Sequence, residues 1–269
     1  MTTVFGPVTD WATDFDHGDP EYNKNIHQIW ENLKASGCPI AHTDRYGGTW
    51  LPLTHEMVHE IAYDTEHFTS RSVVVGQLKP SEIPDAAPAP IGGAPPITSD
   101  PPFHADARRL LLPAFAPKQI DPLRSKMYKM CNDLIDKMGD RDDIDAALEY
   151  SQHIPVLIIA EMLGLPLEDA DKFRSWVNLI LGNIGEERTE ERMAKFMEFS
   201  AYLDQHIADH VDNPKDDLIS FLLNAEMNGQ KLTPHHVHGT VVLILIAGID
   251  TTWSGIGSSL WHLATHAVD

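Results

Sequence analysis

Apolar residues recur at helical spacing along most of the second part of the chain. The pattern predicts helices near residues 103–113, 117–139, 147–164, 168–184, 189–212 and 216–226, with Gly and Pro between them. The last and longest predicted helix begins after Thr233, which can cap it, with Pro234 at the first helical position. From residue 101 onward the chain is therefore expected to be almost wholly helical.

The first hundred residues have a different pattern. An amphipathic helix is predicted over residues 20–36, and Gly47-Gly48, flanked by β-prone residues, is a hairpin signal. Thr54 can cap a short helix from His55 to Asp64. After it, the Pro-rich stretch 71–98 has no periodicity and is predicted to be a long loop.

Together these patterns predict a mainly α fold with a small β-sheet near the N-terminus. The β element is expected within about residues 40–70, followed by the loop at 71–98 and a helical region at 101–269.

Composition narrows the possible partners and the compartment. Twenty Lys and Arg against forty Asp and Glu give a formal net charge of −20, which repels nucleic acid and anionic lipid surfaces. The apolar run Val241–Ile249 is shorter than the roughly 20 residues that cross a bilayer, so we expect a buried helix. Two distant cysteines and the acidic, non-hydrophobic start favour a cytoplasmic protein with neither nucleic acid nor membrane partners.

The most informative segment is Leu245–Thr252, in which small and polar residues interrupt an apolar helix. Ala247 and Gly248 remove bulk, so a flat ligand could approach the backbone. The Thr251 hydroxyl can bond the carbonyl of Ala247, and Asp250 beside it can relay protons. The alternative is a notch for helix packing with a solvated Asp250.

A second informative segment begins at Ser99-Asp-Pro-Pro-Phe-His104. We expect Asp100 to cap a helix that Pro101 starts. His104 and Arg108 are four residues apart on one face of that helix, which suits two carboxylates or a phosphate. The alternative is that both side chains are solvated at the surface.

In this order the segments resemble a cytochrome P450, a haem-thiolate monooxygenase of the bacterial type. The Tyr46-Gly-Gly hairpin and Trp50 resemble the first sheet of that family, and residues 100–108 resemble its C helix. Asp216–Ser220 resembles its H helix, and Ala247–Thr252 resembles its oxygen-activating I helix.

The resemblance implies a cofactor, haem b, and a set of residue roles. His104 and Arg108 would hold the haem propionates, and Ala247 and Gly248 would let the helix cross the porphyrin. Asp250 and Thr251 would be the catalytic acid and alcohol that deliver protons during dioxygen activation. The pocket for a small apolar organic substrate would be lined by Val73, Val74 and Val75 in the loop and by Leu179, Ile180 and Leu181. Electrons would come from a separate ferredoxin or flavodoxin.

The sequence departs from the family in one respect. The family's Glu-x-x-Arg helix and Cys ligand loop would follow the I helix, and neither is found in residues 1–269. Cys38 and Cys131 do not match that loop, so no metal ligand is assigned. We therefore interpret residues 1–269 as an incomplete P450 domain, without the C-terminal haem-ligand portion, and expect this chain alone to be inactive.

Two other interpretations belong to different classes. His55-Glu-Met-Val-His59 matches the pattern of a zinc hydrolase, but Ala62 and Thr65 stand where the extended motif needs Gly and His. The chain could also be a non-catalytic fragment that cannot hold haem alone.

Overall fold

The structure, a computed structural model, describes residues 5–37, 39–71, 93–181 and 190–266. The chain divides into two compact units, one of residues 1–90, 98–101 and 184–188 and the other of residues 91–97, 102–183 and 189–269.

The first unit holds a small hairpin between two helices. Its elements are α1 (Pro20–Ala35), β1 (Ile40–Thr43), β2 (Thr49–Pro52) and α2 (His55–Tyr63). The strands pair antiparallel, with Ile40 opposite Pro52 and Thr43 opposite Thr49. Gly47 and Gly48 in the connection both have positive φ, of 80° and 95°, as the hairpin prediction required.

A buried arginine fixes the N-terminal segment of this unit. The Arg45 guanidinium donates from Nε to Asp14 at 2.7 Å and from Nη2 to the carbonyl of Gly6 at 2.8 Å. The hydrogen bond from Arg45 lowers the pKa of Asp14 to about 2. Burial opposes ionisation of Asp16, but hydrogen bonds from Tyr46, Gly18 and Arg45 outweigh it and lower its pKa. The cluster joins the start of the chain to the hairpin connection.

The second unit is built from helices with one short hairpin. Its elements in chain order are α3 (Phe103–Leu111), α4 (Pro117–Ile120), α5 (Leu123–Met138), α6 (His153–Leu163), α7 (Ala170–Leu181), α8 (Glu190–Asp212), α9 (Leu218–Asn224), β3 (Glu226–Met227), β4 (Gln230–Lys231) and α10 (Pro234–Thr265). A π-helical turn at Ala147–Ser151 precedes α6. The prediction of an almost wholly helical region is confirmed, with the two-residue strands β3 and β4 as the exceptions among the described residues.

The core of the second unit surrounds the first half of α10. Five helices contribute buried apolar side chains: Val156, Ile159, Ala160 and Leu163 of α6; Phe173, Trp176 and Val177 of α7; Phe199, Leu203 and Ile207 of α8; Leu218, Ile219 and Leu222 of α9; and Val237, Val241, Ile244, Leu245 and Ile249 of α10. The predicted buried helix at Val241–Ile249 is confirmed, and Thr233 caps it by accepting from the His236 N–H at 3.1 Å.

The second half of α10 is much more exposed, with Trp261 at 67%. By length and composition alone, α10 is also long and apolar enough to cross a membrane. A core helix of a water-soluble domain passes the same test, and the buried stripe of α10 packs against α6 and α7.

A polar junction joins three helices of this core. Gly164 ends α6 with φ 72°, and a Cβ there would lie only 2.6 Å from Cγ of Asp217. Asp217 caps α9 by accepting from the Ser220 N–H at 2.8 Å, and its other oxygen lies 3.0 Å from Nε2 of His210 on α8. Only glycine allows the buried carboxylate this close to the end of α6.

We expect Gly164→Ala to destabilise the second unit by about 3 to 5 kcal/mol, because the new methyl group displaces Asp217 from both partners. Gly229→Ala is the matched control, since Gly229 also has positive φ, 77°, but has open space around it. That control should cost about 1 kcal/mol. Urea unfolding of both variants measures the difference, and equal losses would contradict the steric explanation.

Candidate functional site

An apolar cavity of about 420 Å³ lies between α3, α6 and α10 in the second unit. Its volume falls in the usual range for small-molecule sites, roughly 300 to 1,000 Å³. The lining residues are Pro96, Arg108, Leu111, Leu112, Phe115, Ile159, Leu243, Ile244, Ala247 and Gly248. Arg108 is the only charged residue among them.

Ala247 and Gly248 are the two small residues that line this cavity on the α10 side. A Cβ at Gly248 would lie 2.6 Å from Cδ1 of Ile159 on α6, so a larger residue here would force the Ile159 side chain to shift. The structure therefore supports the helix-packing alternative for Gly248. The same two small residues also face the cavity, so packing and ligand access are compatible here.

The polar residues Asp250 and Thr251 follow these two small residues along α10. The Thr251 hydroxyl donates to the carbonyl of Ala247 at 3.0 Å, which confirms that predicted hydrogen bond. Burial of α10 is confined to its packed stripe, since Ala247 is exposed within the predicted buried helix, Asp250 is half-buried and Thr251 is exposed. The core ends at Ile249, the last buried residue of the α10 stripe.

Helix α3 presents Arg108 from the other side. The predicted cap was wrong, because α3 begins at Phe103 without a side-chain cap. Asp100 instead accepts hydrogen bonds from the Thr69 hydroxyl and from the Ser70 N–H. His104 lies one turn before Arg108 and is half-buried, but it is not among the described residues that line the cavity.

The N-terminal end of α10 packs against α3 through an aromatic contact. The rings of His236 and Phe103 have centroids 5.4 Å apart, and His236 is 7% exposed. Burial, with a smaller contribution from the charge of His235, lowers the pKa of His236. The neutral ring is therefore the form that this packing favours.

A segment of the Pro-rich loop contacts α10 close to the cavity. The Thr240 hydroxyl donates to the carbonyl of Pro95 at 3.2 Å, and a Cβ at Gly239 would lie 2.9 Å from Cδ of Pro95. Pro96 lines the cavity as a result of this close approach.

Comparison with known proteins shows what the chain is similar to. The family model described as Cytochrome P450 matches residues 156–267. Cytochrome P450 CYP107DY1 of Priestia megaterium is 28% identical over 262 residues, which are 93% of this chain and 64% of that protein.

Solved structures agree with this match. The crystal structure of epothilone D-bound cytochrome P450epoK gives a TM-score of 0.77 at 25% identity, over 94% of this chain and 64% of that one. CYP109E1 from Bacillus megaterium, in complex with testosterone, gives 0.76 at 28% identity, over 92% of this chain and 62% of that one. The chain is therefore similar to bacterial cytochromes P450 in sequence and in fold. It spans less than two thirds of the length of each of these relatives.

Cytochromes P450 use haem b, and the cavity fits one side of such a group. Its walls are apolar, Arg108 supplies a cation suited to a carboxylate, and Ala247 and Gly248 leave room beside the backbone of α10. The structure offers no thiolate at this cavity among the residues it describes, because Cys131 lies on α5 and is not in the lining.

The structure brings together some of the predicted P450 site residues. Arg108, Ala247 and Gly248 share the cavity, but Leu179 and Ile180 are half-buried on α7 and are not among its lining residues. Ile180 packs against the core instead. Leu181 ends α7, and the predicted pocket residues Val73, Val74 and Val75 lie outside the described residues.

Sequence reasoning missed most of the apolar lining of the cavity. Leu111, Leu112 and Phe115 follow Arg108 at spacings of three, four and seven residues, which place helical residues on one face. That spacing was a usable signal. Ile159 and Leu243 carried no signal, because only the packing of α6 against α10 brings them to the cavity.

The zinc alternative gains no support from the structure. His55 and His59 lie one turn apart on the exposed helix α2, and the His59 ring stacks on Tyr63 at 4.5 Å between centroids. Within residues 5–37, 39–71, 93–181 and 190–266, no group of three His, Cys, Asp or Glu side chains could hold a metal ion.

The neutral His236 ring predicts a pH dependence of stability. Because its pKa is lowered in the folded state, the unfolded chain, with a pKa of about 6.5, binds the proton first as pH falls. The free energy of unfolding should therefore decline below about pH 6.5, with a slope of up to about 1.4 kcal/mol per pH unit from this residue.

We expect His236→Gln to remove this part of the decline. Urea unfolding at about pH 7.5 and about pH 5.5 measures it in both proteins. The assignment fails if the variant loses as much stability on acidification as the original chain does.

Proposed function

We propose that this chain forms part of a haem-dependent monooxygenase, in which haem b binds in the cavity between α3 and α10. The enzyme inserts one atom of dioxygen into an apolar organic substrate. The observation that carries the proposal is that Arg108 lines the same apolar cavity as Ala247 and Gly248, although it lies 139 residues before Ala247. A packing notch alone would not require a cation opposite it.

In this proposal Arg108 pairs with a propionate of the haem, and His104 on the same helix takes part in holding the propionates. A charge-assisted bond of this kind is worth roughly 1.5 to 3 kcal/mol. Leu111, Leu112 and Phe115 give apolar contact beside Arg108. Ala247 and Gly248 allow the flat group to lie against α10.

Bound haem with a thiolate ligand supplies the reductive activation of dioxygen. The residues of this chain control the protons that this chemistry consumes. Thr251 is held by its hydrogen bond to Ala247, and its hydroxyl oxygen can still accept a hydrogen bond from water. Asp250, half-buried beside it, exchanges protons with solvent and passes them to the site.

The proposed substrate class rests on the same arrangement, and the proposed electron donor rests on the likeness to cytochromes P450. The mostly apolar lining favours an apolar organic substrate. The relatives crystallised with epothilone D and testosterone also bound such molecules. We propose that a separate ferredoxin or flavodoxin supplies electrons from NAD(P)H and that the protein works in the cytoplasm, where its charge of −20 keeps it soluble.

Haemin binding tests the cofactor assignment on this chain. We expect haemin titration, followed by its Soret absorbance, to show saturable binding that Arg108→Ala weakens by roughly 10- to 100-fold. Arg109→Ala is the matched control, because Arg109 is the next residue and does not line the cavity. That variant should change the affinity less than about twofold. Absence of saturable binding, or equal affinities of the two variants, would refute the assignment.

Proton delivery is tested in a protein that joins this chain to a Cys ligand loop. Thr251→Ala should oxidise NAD(P)H at a comparable rate while releasing mostly hydrogen peroxide, because the hydroxyl that guides protons is lost. Asp250→Asn should slow turnover by roughly 100-fold. Thr252→Ala, at the exposed neighbouring residue, should keep normal coupling. Product formed per NAD(P)H oxidised is the measurement, and normal coupling in Thr251→Ala would exclude the relay.

A further inference from the structure

The short hairpin before α10 has a turn with two residues in the left-handed region. Met227 pairs with Gln230, and the two residues between them, Asn228 and Gly229, have φ of 55° and 77°. Two positive φ values in a two-residue loop are the requirement of a type I′ turn, and Asn-Gly is its preferred sequence. The turn fixes the backbone of Asn228 and so restricts where its side chain can reach.

The Asn228 side chain makes a long-range contact with α3. Its Nδ2 donates to Oδ2 of Asp106 at 2.9 Å, across 122 residues of sequence. The other oxygen of Asp106 accepts from Nη1 of Arg109 at 3.0 Å, within α3. Both carboxylate oxygens therefore have donors. Of these two bonds, the one from Asn228 connects α3 to another element, and the one from Arg109 stays within α3.

Helix α3 depends on tertiary contacts for its orientation. It is nine residues long, it lacks a side-chain cap, and Ala107, at 1% exposure, is its one buried residue. Isolated helices shorter than about 12 residues are marginal in water. Leu110 and Leu111 at its C-terminal end pack against the core, whereas its N-terminal half is held at Phe103 and by the bond from Asn228 to Asp106.

The rotation of α3 about its axis decides which side of the helix faces the cavity. Asp106 and Arg108 are two residues apart, so they lie on different sides of the helix. The bond from Asn228 holds the Asp106 side at the hairpin, and Arg108 on another side lines the cavity.

We propose that Asn228 is a positioning residue, which through Asp106 sets the rotation of α3 and places Arg108 at the cavity. The value of that placement for haem rests on the proposed function, but the contact between Asn228 and α3 can be tested separately. The contact has a direction, with an amide donor on the hairpin and a carboxylate acceptor on the helix. A second carboxylate at position 228 should therefore break the contact, and exchanging the two residue types should restore it with donor and acceptor reversed.

The test uses this chain and amide hydrogen exchange of residues 103–111. Asn228→Asp retains a residue that tolerates the left-handed conformation but places a carboxylate against Asp106. Exchange in α3 should become faster by about tenfold or more, because a charge-assisted hydrogen bond is replaced by repulsion. Exchange in the core segments 156–163 and 241–249 should not change.

Two further variants make the result specific. The reciprocal swap, Asp106→Asn with Asn228→Asp, restores one donor and one acceptor and should return α3 exchange to within about threefold of the original. It also removes the Arg109 pair, but that pair is exposed and contributes little. Asn213→Asp is the matched control, since Asn213 donates to Asp209 at 3.0 Å on α8. It should leave α3 exchange unchanged.

Unchanged α3 exchange in Asn228→Asp, an equal increase in the core segments, or no rescue by the swap would overturn the proposal.

Haemin affinity separates the positioning role of Asn228 from the proposed function. If Arg108→Ala weakens haemin binding, Asn228→Asp should weaken it too and the swap should restore it. Weakening by Arg108→Ala without any effect of Asn228→Asp would overturn the positioning role. If the original chain does not bind haemin, the proposed function fails, and the exchange data alone decide whether Asn228 holds α3.

Discussion

The apolar stripe on the first half of α10 is the constraint around which the second unit is arranged. Val237, Val241, Leu245 and Ile249 recur every four residues and are at most 1% exposed. Burying one such side chain contributes roughly 1.5 to 3 kcal/mol, so the stripe strongly favours a helix covered on this face. Helices α6 to α9 provide that cover.

The cavity exists because this covering is incomplete. The face of α10 that carries Leu243, Ala247 and Gly248 turns away from the packed stripe and toward α3 and Pro96. Small residues there keep α6 close, through Ile159 against Gly248. One glycine thus serves helix packing and the cavity, and a mutation at Gly248 would affect stability and ligand access together.

Polar contacts between elements add to the packing of the core. Asp217 connects α9 to α8 beside Gly164, and Asp106 connects α3 to the hairpin at Asn228. Such contacts matter most where little apolar surface is buried. Helix α3, with a single buried residue, is the clearest example and is also the helix that carries Arg108.

The sequence by itself determined the long helices, the N-terminal hairpin and the likeness to cytochromes P450. Helical periodicity predicted every long helix, and Thr54, Thr233 and Pro234 marked where two helices begin. The bond from Thr251 to Ala247 was also predictable, because it joins residues one turn apart. These features are local, so spacing along the chain was enough to infer them.

Tertiary structure decided the rest. Asp100 had the residue type of a cap but bonds Thr69 and Ser70, because the chain fold offers those donors. The Asn228-Gly229 turn was predictable from the Asn-Gly sequence, but the bond from the Asn228 side chain to Asp106 could not be inferred from spacing. The exposure of Thr251 and the position of Ile159 in the cavity wall likewise depend on which helices pack against α10. Periodicity gives the face of a helix, whereas only the packed structure shows what that face meets.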